Sequence, residues 1–142
     1  MAHVRSVILC DFAQVREGLL FVSSGGITRI AAPTLGSAVQ FYVAGEIEVM
    51  AHEADLVHNV DVKVNVVDTS TTIWHSHLQI QTNRTNEGMF PGESLHIPFA
   101  CPVGPMPVSA FGPHDLKVSL DDSETEITTF YLLQITPTPP IA

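Results

Sequence analysis

The chain has 142 residues and a mass of 15.4 kDa, which suits one domain spanning 1–142 and leaves no room for a second. Hydrophobic residues make up 45% and charged residues only 15%, so a sizeable core can form and a disordered chain is excluded. Fifteen carboxylates against six Lys and Arg give a formal charge of −9, which repels phosphate backbones and anionic membranes and excludes nucleic acid and membrane as partners.

Period-two alternation recurs along the chain in short segments bounded by Gly, Pro, Asn and Asp, and no segment keeps a helical period. The first strand is expected over 3–11. Its apolar run, 7–10, stops at Asp11 and is too short for a signal peptide or a membrane span, which predicts a cytoplasmic protein. In that compartment Cys10 and Cys101 are expected to be reduced and buried. Arg16-Glu17-Gly18 supplies a hairpin turn into a second strand, 18–30, kinked at Ser24-Gly25-Gly26. The third strand covers 38–50. The fourth, 57–68, alternates most cleanly, with Val60, Val62, Val64 and Val66 on one face and Asp61, Lys63 and Asn65 on the other.

A fifth strand is expected at 72–82, and Phe90-Pro91-Gly92 turns the chain into a sixth at 93–100. The stretch 98–113 holds five prolines and two glycines, which predicts an irregular crossover or covering loop in place of a central strand. The seventh strand, 115–121, points Leu116, Val118 and Leu120 inward. Asp121-Asp122-Ser123-Glu124 closes a hairpin onto the eighth, 126–135, and the Pro-rich tail 136–142 runs extended. About eight mostly antiparallel strands with little or no helix make an all-β, two-sheet β-sandwich of the jelly-roll or immunoglobulin-like kind.

The block Cys10-Asp11-Phe12-Ala13-Gln14-Val15-Arg16-Glu17-Gly18-Leu19-Leu20-Phe21-Val22, followed by Gly25-Gly26-Ile27-Thr28-Arg29, resembles the opening signature of a family of bacterial, largely actinobacterial, domains of unknown function. Pro91-Gly92-Glu93-Ser94-Leu95-His96-Ile97-Pro98 is similar as well. The Gly-x-Tyr that precedes the final strand in that family is replaced here by Gly112-Pro113-His114. The resemblance implies a bacterial or phage origin and a β-rich fold, and it carries no activity to transfer.

Among candidate sites, His75 and His77 stand out, because strand residues two apart project from one face roughly 7 Å apart, where two imidazoles can grip one metal ion. Gln79 and Gln81 continue that face. A third ligand would come from a neighbouring strand, with His96 first and His52, His58 or Asp68 as others. The plainer reading buries Trp74, Ser76, Leu78 and Ile80 and leaves His75 and His77 in water. The acidic turn at 121–124 offers oxygen ligands of the kind calcium takes, without the glycine-containing spacing of a dedicated loop, and so reads as a solvated hairpin tip. Asp11 with Arg16, and Arg29 nearby, reads as a structural ion pair. The sequon Asn83-Arg84-Thr85 has no meaning without secretion.

No nucleophile elbow, phosphate-binding loop, dinucleotide fingerprint or spaced cysteine cluster is present, so enzymatic activity is not the default expectation. The leading reading is a non-catalytic structural or interaction module that meets a protein partner or copies of itself, with no cofactor, on the strength of apolar stretches at 19–22 and 130–133 and of proline-rich segments. One alternative is a metal-binding sandwich or metal-dependent enzyme centred on His75 and His77, with His96 as a further ligand to a divalent transition metal. The other is a binding domain for a small apolar ligand, lined by Trp74, Phe99 and Phe111.

Overall fold

The computed structural model describes residues 2–81, 89–122 and 124–135. The tail 136–142, the sequon 83–85 and Ser123 of the acidic turn lie outside the described residues. The chain is all-β. Ten strands follow one another: β1 (His3–Cys10), β2 (Phe12–Arg16), β3 (Leu19–Ser23), β4 (Arg29–Ala32), β5 (Ala38–Met50), β6 (His58–Val66), β7 (Thr71–Ile80), β8 (Ser94–Pro107), β9 (Gly112–Leu120) and β10 (Glu124–Gln134). A single 3-10 turn, Ala51–Glu53, joins β5 to β6.

They form three sheets where the sequence pattern predicts two: a three-stranded sheet β1-β5-β8, a five-stranded sheet β4-β10-β9-β6-β7, and a two-stranded sheet β2-β3. All pairings are antiparallel except that of β4 with β10. The two larger sheets share one core. Val39, Phe41, Val43, Ile47 and Val49 of β5 meet the valines of β6, Leu116, Val118 and Leu120 of β9, and Phe130 and Leu132 of β10. Phe41 and Phe130 cross between the sheets edge to face, with ring centroids 5.5 Å apart, the arrangement the ring quadrupoles favour.

The two-stranded sheet arises because the chain leaves the three-stranded sheet at Asp11 and returns sixteen residues on. At its base the Leu9 carbonyl accepts from both Gly26 N (2.9 Å) and Ile27 N (3.0 Å). At its tip Glu17 and Gly18 both adopt positive φ, 53° and 74°, the geometry whose twist suits a two-residue hairpin. The expected kink at Ser24-Gly25-Gly26 is thus a full break between β3 and β4.

The proline-rich stretch also departs from expectation, since β8 continues as a strand through Pro107 and β9 starts at Gly112. β8 is an edge strand bonded only to β5. Pro98, Pro102 and Pro107 stand opposite Glu46, Tyr42 and Ala38, three β5 positions of the same parity, so their missing N–H groups all fall on the side facing away from the ladder. The fourth proline, Pro105, sits in a bulge with Gly104, whose φ of 108° and 2.5 Å clearance between a Cβ and the Val39 carbonyl leave room only for glycine.

Gly45 carries a tighter constraint in the middle of β5. A Cβ there would lie 2.6 Å from Cζ of Phe99 and would also strike the Ser6 carbonyl. Gly45→Ala is expected to cost about 1–3 kcal/mol of unfolding free energy in a denaturant titration. Adding Phe99→Leu should yield a double variant less destabilised than the sum of the two single changes.

Candidate functional site

The seven histidines fall into two surface clusters and three separate positions in the fold. His75 and His77 lie on the solvated face of β7, half exposed, while Trp74, Ser76, Leu78 and Ile80 turn inward as partly buried residues. Across the ladder, Asp61 of β6 stands opposite His77 and beside His75. Its Oδ1 accepts hydrogen bonds from His75 Nε2 (2.9 Å) and His77 Nδ1 (3.1 Å). The bond from His75, and then that from His77, hold the Asp61 carboxyl below its usual pKa.

His96 does not join this pair. It belongs to a second polar cluster on the outer face of the three-stranded sheet, in a row across the strands in which Glu48 of β5 is paired with both His3 of β1 and His96 of β8. His3 Nε2 lies 3.1 Å from one Glu48 oxygen, and Ser94 Oγ donates to the other. Arg5 Nη1 donates to His96 Nε2 at 2.8 Å and lies 3.7 Å from Glu48. Because a guanidinium can only donate, the His96 ring nitrogen that faces it must present a lone pair, and that lone pair is already used. The Ser94 hydroxyl bond is the main cause of a lowered Glu48 pKa, with His3, His96 and Arg5 adding to it. Among the described residues no group of three or more His, Cys, Asp or Glu is arranged to hold a metal ion.

His58 stands apart from both clusters, 3% exposed at the start of β6 and bonded at both ring nitrogens. His114 of β9 is fully buried as well, donating Nδ1–H to the Gly112 carbonyl at 3.0 Å beside the Phe130 ring. His52 is exposed on the 3-10 turn, 3.7 Å from Glu53. Sequence spacing pointed to none of the partners of His58, because Asp121 is sixty-three positions away and meets it only through the β6–β9 pairing.

Both cysteines are free and buried, and burial first of all pushes both thiols up in pKa, so neither is poised as a thiolate nucleophile. Asp11 and Arg16 form no ion pair among the described residues; the Arg16 guanidinium lies over the Phe21 ring, 5.9 Å from its centroid. Phe99 is core, and Trp74 and Phe111 pack against the core. An open groove of about 460 Å³ runs between the ends of β7 and β8 under the hairpin tip, lined by Gln79, Gln81, Pro98, Ala100 and Val15 among others.

The β2–β3 hairpin is the least expected feature. Ala13 and Leu20 dock it onto Cys10, Tyr42, Ala44 and Ala100 on the outer face of the three-stranded sheet. Phe12 stacks edge-on against Tyr42, centroids 5.0 Å apart. Yet Phe12, Val15, Leu19, Phe21 and Val22 all stay between 39% and 63% exposed, the largest value being that of Leu19. Among the described residues the two strands pair only with each other. The alternation in this segment carries apolar residues on both faces, a signal present in the sequence and hidden there by treating 18–30 as one strand.

Asp61→Asn removes the charge that both imidazoles point at, and because water screens this surface cluster it is expected to lower stability by no more than about 1 kcal/mol near neutral pH. A carboxyl whose pKa is lowered by folding stabilises the protein above its unfolded pKa, and that contribution fades as pH falls through the folded value. Thermal melts of the wild type and the variant should therefore differ at pH 7 and converge in strong acid.

Among the described residues no helix is long and apolar enough to cross a membrane. No curated protein matches the chain. The model of a family of unknown function, DUF6941, matches residues 5–133, from β1 almost to the end of β10, and the chain belongs to that family.

Proposed function

We propose that this domain is a non-catalytic interaction module that assembles with copies of itself through the β2–β3 hairpin. The observation that carries the reading is the exposed apolar surface of that hairpin, centred on Leu19 and Phe21. An isolated two-stranded hairpin is marginal in water, and this one gains its support from a single docked face; a second copy laid against the other face would bury Phe12, Leu19 and Phe21 together. Charge favours the same place. The whole chain carries −9, which opposes self-association almost anywhere, but positions 12–23 hold only Arg16 and Glu17, which cancel.

A catalytic reading has less beneath it. The carboxylates Asp61 and Glu48 are each held by neighbouring side chains, and the two thiols are buried. The groove beneath the hairpin tip is open, with two glutamine side chains as its polar groups among the residues named above.

Light scattering coupled to size exclusion over a hundredfold range of concentration tests the proposal. The wild type is expected to rise from the 15.4 kDa monomer mass to a defined multiple of it. The double variant Leu19→Ser, Phe21→Ser should stay monomeric with an unchanged circular dichroism spectrum, since both positions are exposed. A wild type that is monomeric throughout, or a variant that associates as the wild type does, would sink the idea.

A further inference from the structure

The buried His58 meets oxygen on both sides. Its Nδ1 lies 2.8 Å from Asp121 Oδ2, and its Nε2 lies 3.1 Å from the backbone carbonyl of Glu53. A carboxylate and a carbonyl can only accept, so both ring nitrogens must carry a proton, and the ring is an imidazolium inside the protein. A neutral ring in this position would turn a lone pair toward one of the two oxygens.

The partners lie on two different connections. Glu53 ends the 3-10 turn between β5 and β6, and one of its carboxylate oxygens accepts from the Ala2 backbone N–H at 3.2 Å, tying in the start of β1. Asp121 opens the β9–β10 turn. Its other oxygen accepts from Asn59 N at 2.8 Å, and its own N–H donates to the Asn59 carbonyl at 2.8 Å. Asp121 and Asp122 both take positive φ, 50° and 58°, a backbone state that costs non-glycine residues energy unless the surroundings impose it. Two adjacent carboxylates in such a turn also repel each other. The His58 cation and the two hydrogen bonds to the Asn59 backbone hold Asp121 in place against both effects.

We propose that His58, Asp121 and the Glu53 carbonyl form a pH-dependent latch, which clasps the β5–β6 connection to the β9–β10 turn while His58 is protonated and releases both when it loses that proton. Released with them is the segment that carries Leu56 and Val57, apolar residues already about half exposed. The charged groups acting on His58 are Asp121 from the β9–β10 turn and Glu53 from the 3-10 turn. Burial by itself would push the pKa of His58 down, but the hydrogen bonds to Asp121 and to the Glu53 carbonyl, with the two negative charges, carry it above the ordinary histidine value. A group whose pKa rises on folding stabilises fully below its unfolded pKa, about 6.5 for histidine, and that stabilisation is lost as pH climbs through the folded value. The latch therefore stays closed below the unfolded histidine value and opens as pH climbs past the raised folded value.

Nitrogen-15 NMR of the His58 ring and amide exchange at Asn59 and Asp121 test this on the intact chain. At pH 6 both ring nitrogens should appear protonated, and the ring should titrate above a free histidine. Between pH 6 and pH 9 the protection factors of the Asn59 and Asp121 amides should fall at least tenfold more than that of Val62 in the middle of β6. His58→Gln should show low protection at these two amides at both pH values. If that variant does not fold, the wild-type ring titration decides alone. A ring with a single proton at pH 6, or protection at the two amides that tracks Val62, overturns the latch.

Discussion

The structure depends first on the two faces of β5. Its inward positions, Val39, Phe41, Val43, Ile47 and Val49, are buried against the five-stranded sheet and supply the main hydrophobic contribution to folding. Its outward positions change character along the strand. Tyr42 offers its ring to Phe12 and Ala44 is small enough to receive the β2–β3 hairpin; Glu46 and Glu48 are charged and gather His3, Arg5 and His96 around them. One strand thereby decides where a third layer can be laid and where the sheet must stay in water. Gly45 stands between the two regimes, and it is glycine because the Phe99 ring and the β1 backbone both close on its Cα.

The polar groups follow a common rule, in which a carboxylate on one strand collects imidazoles from the next. Asp61 takes His75 and His77, Glu48 takes His3 with His96 close by, and Asp121 takes His58. The environment separates their consequences. The first two sets sit at the surface, where water competes for every bond and the coupling energy stays small. In the third the imidazole is buried while Asp121 keeps one side in water, so the same chemistry fixes a protonation state on the ring and couples two connections of the chain.

Much of the fold was legible because alternation is a local signal. Residues 38–50 were readable to both ends, as were the inward valines of β6 and the inward leucines of β9, and the turn at Glu17-Gly18 was readable from its residue types. The sheet count was not legible. Whether a hairpin continues its parent sheet or folds onto its face is decided by what the face opposite offers, here Ala44 and Ala100, and no window of sequence around residue 12 contains that information. The prolines of β8 misled for a related reason. Proline forbids a central strand but is tolerated on an edge when its ring falls on the unpaired side, and edge status is a property of the whole sheet. The pairing of His75 with His77 on one face followed from spacing, whereas the partners Asp61, Asp121 and Arg5 come from register between strands fourteen to ninety-one positions apart.

Edges and faces also explain why the hairpin is the place to look for a partner. β8 carries prolines along its free side, and β1 is interrupted by a register shift between Val4 and Ser6 beside Arg5. β4 is only four residues long. Each of these is a device that discourages another chain from adding itself to the sheet. The outer face of the hairpin carries Phe12, Leu19 and Phe21, with Arg16 as its charged residue, the guanidinium lying over the Phe21 ring. β7, the other edge of the five-stranded sheet, runs ten residues without proline and carries His75 and His77 on its solvated face, whereas Leu19 and Phe21 stand in water on the hairpin and neither is needed to close the core.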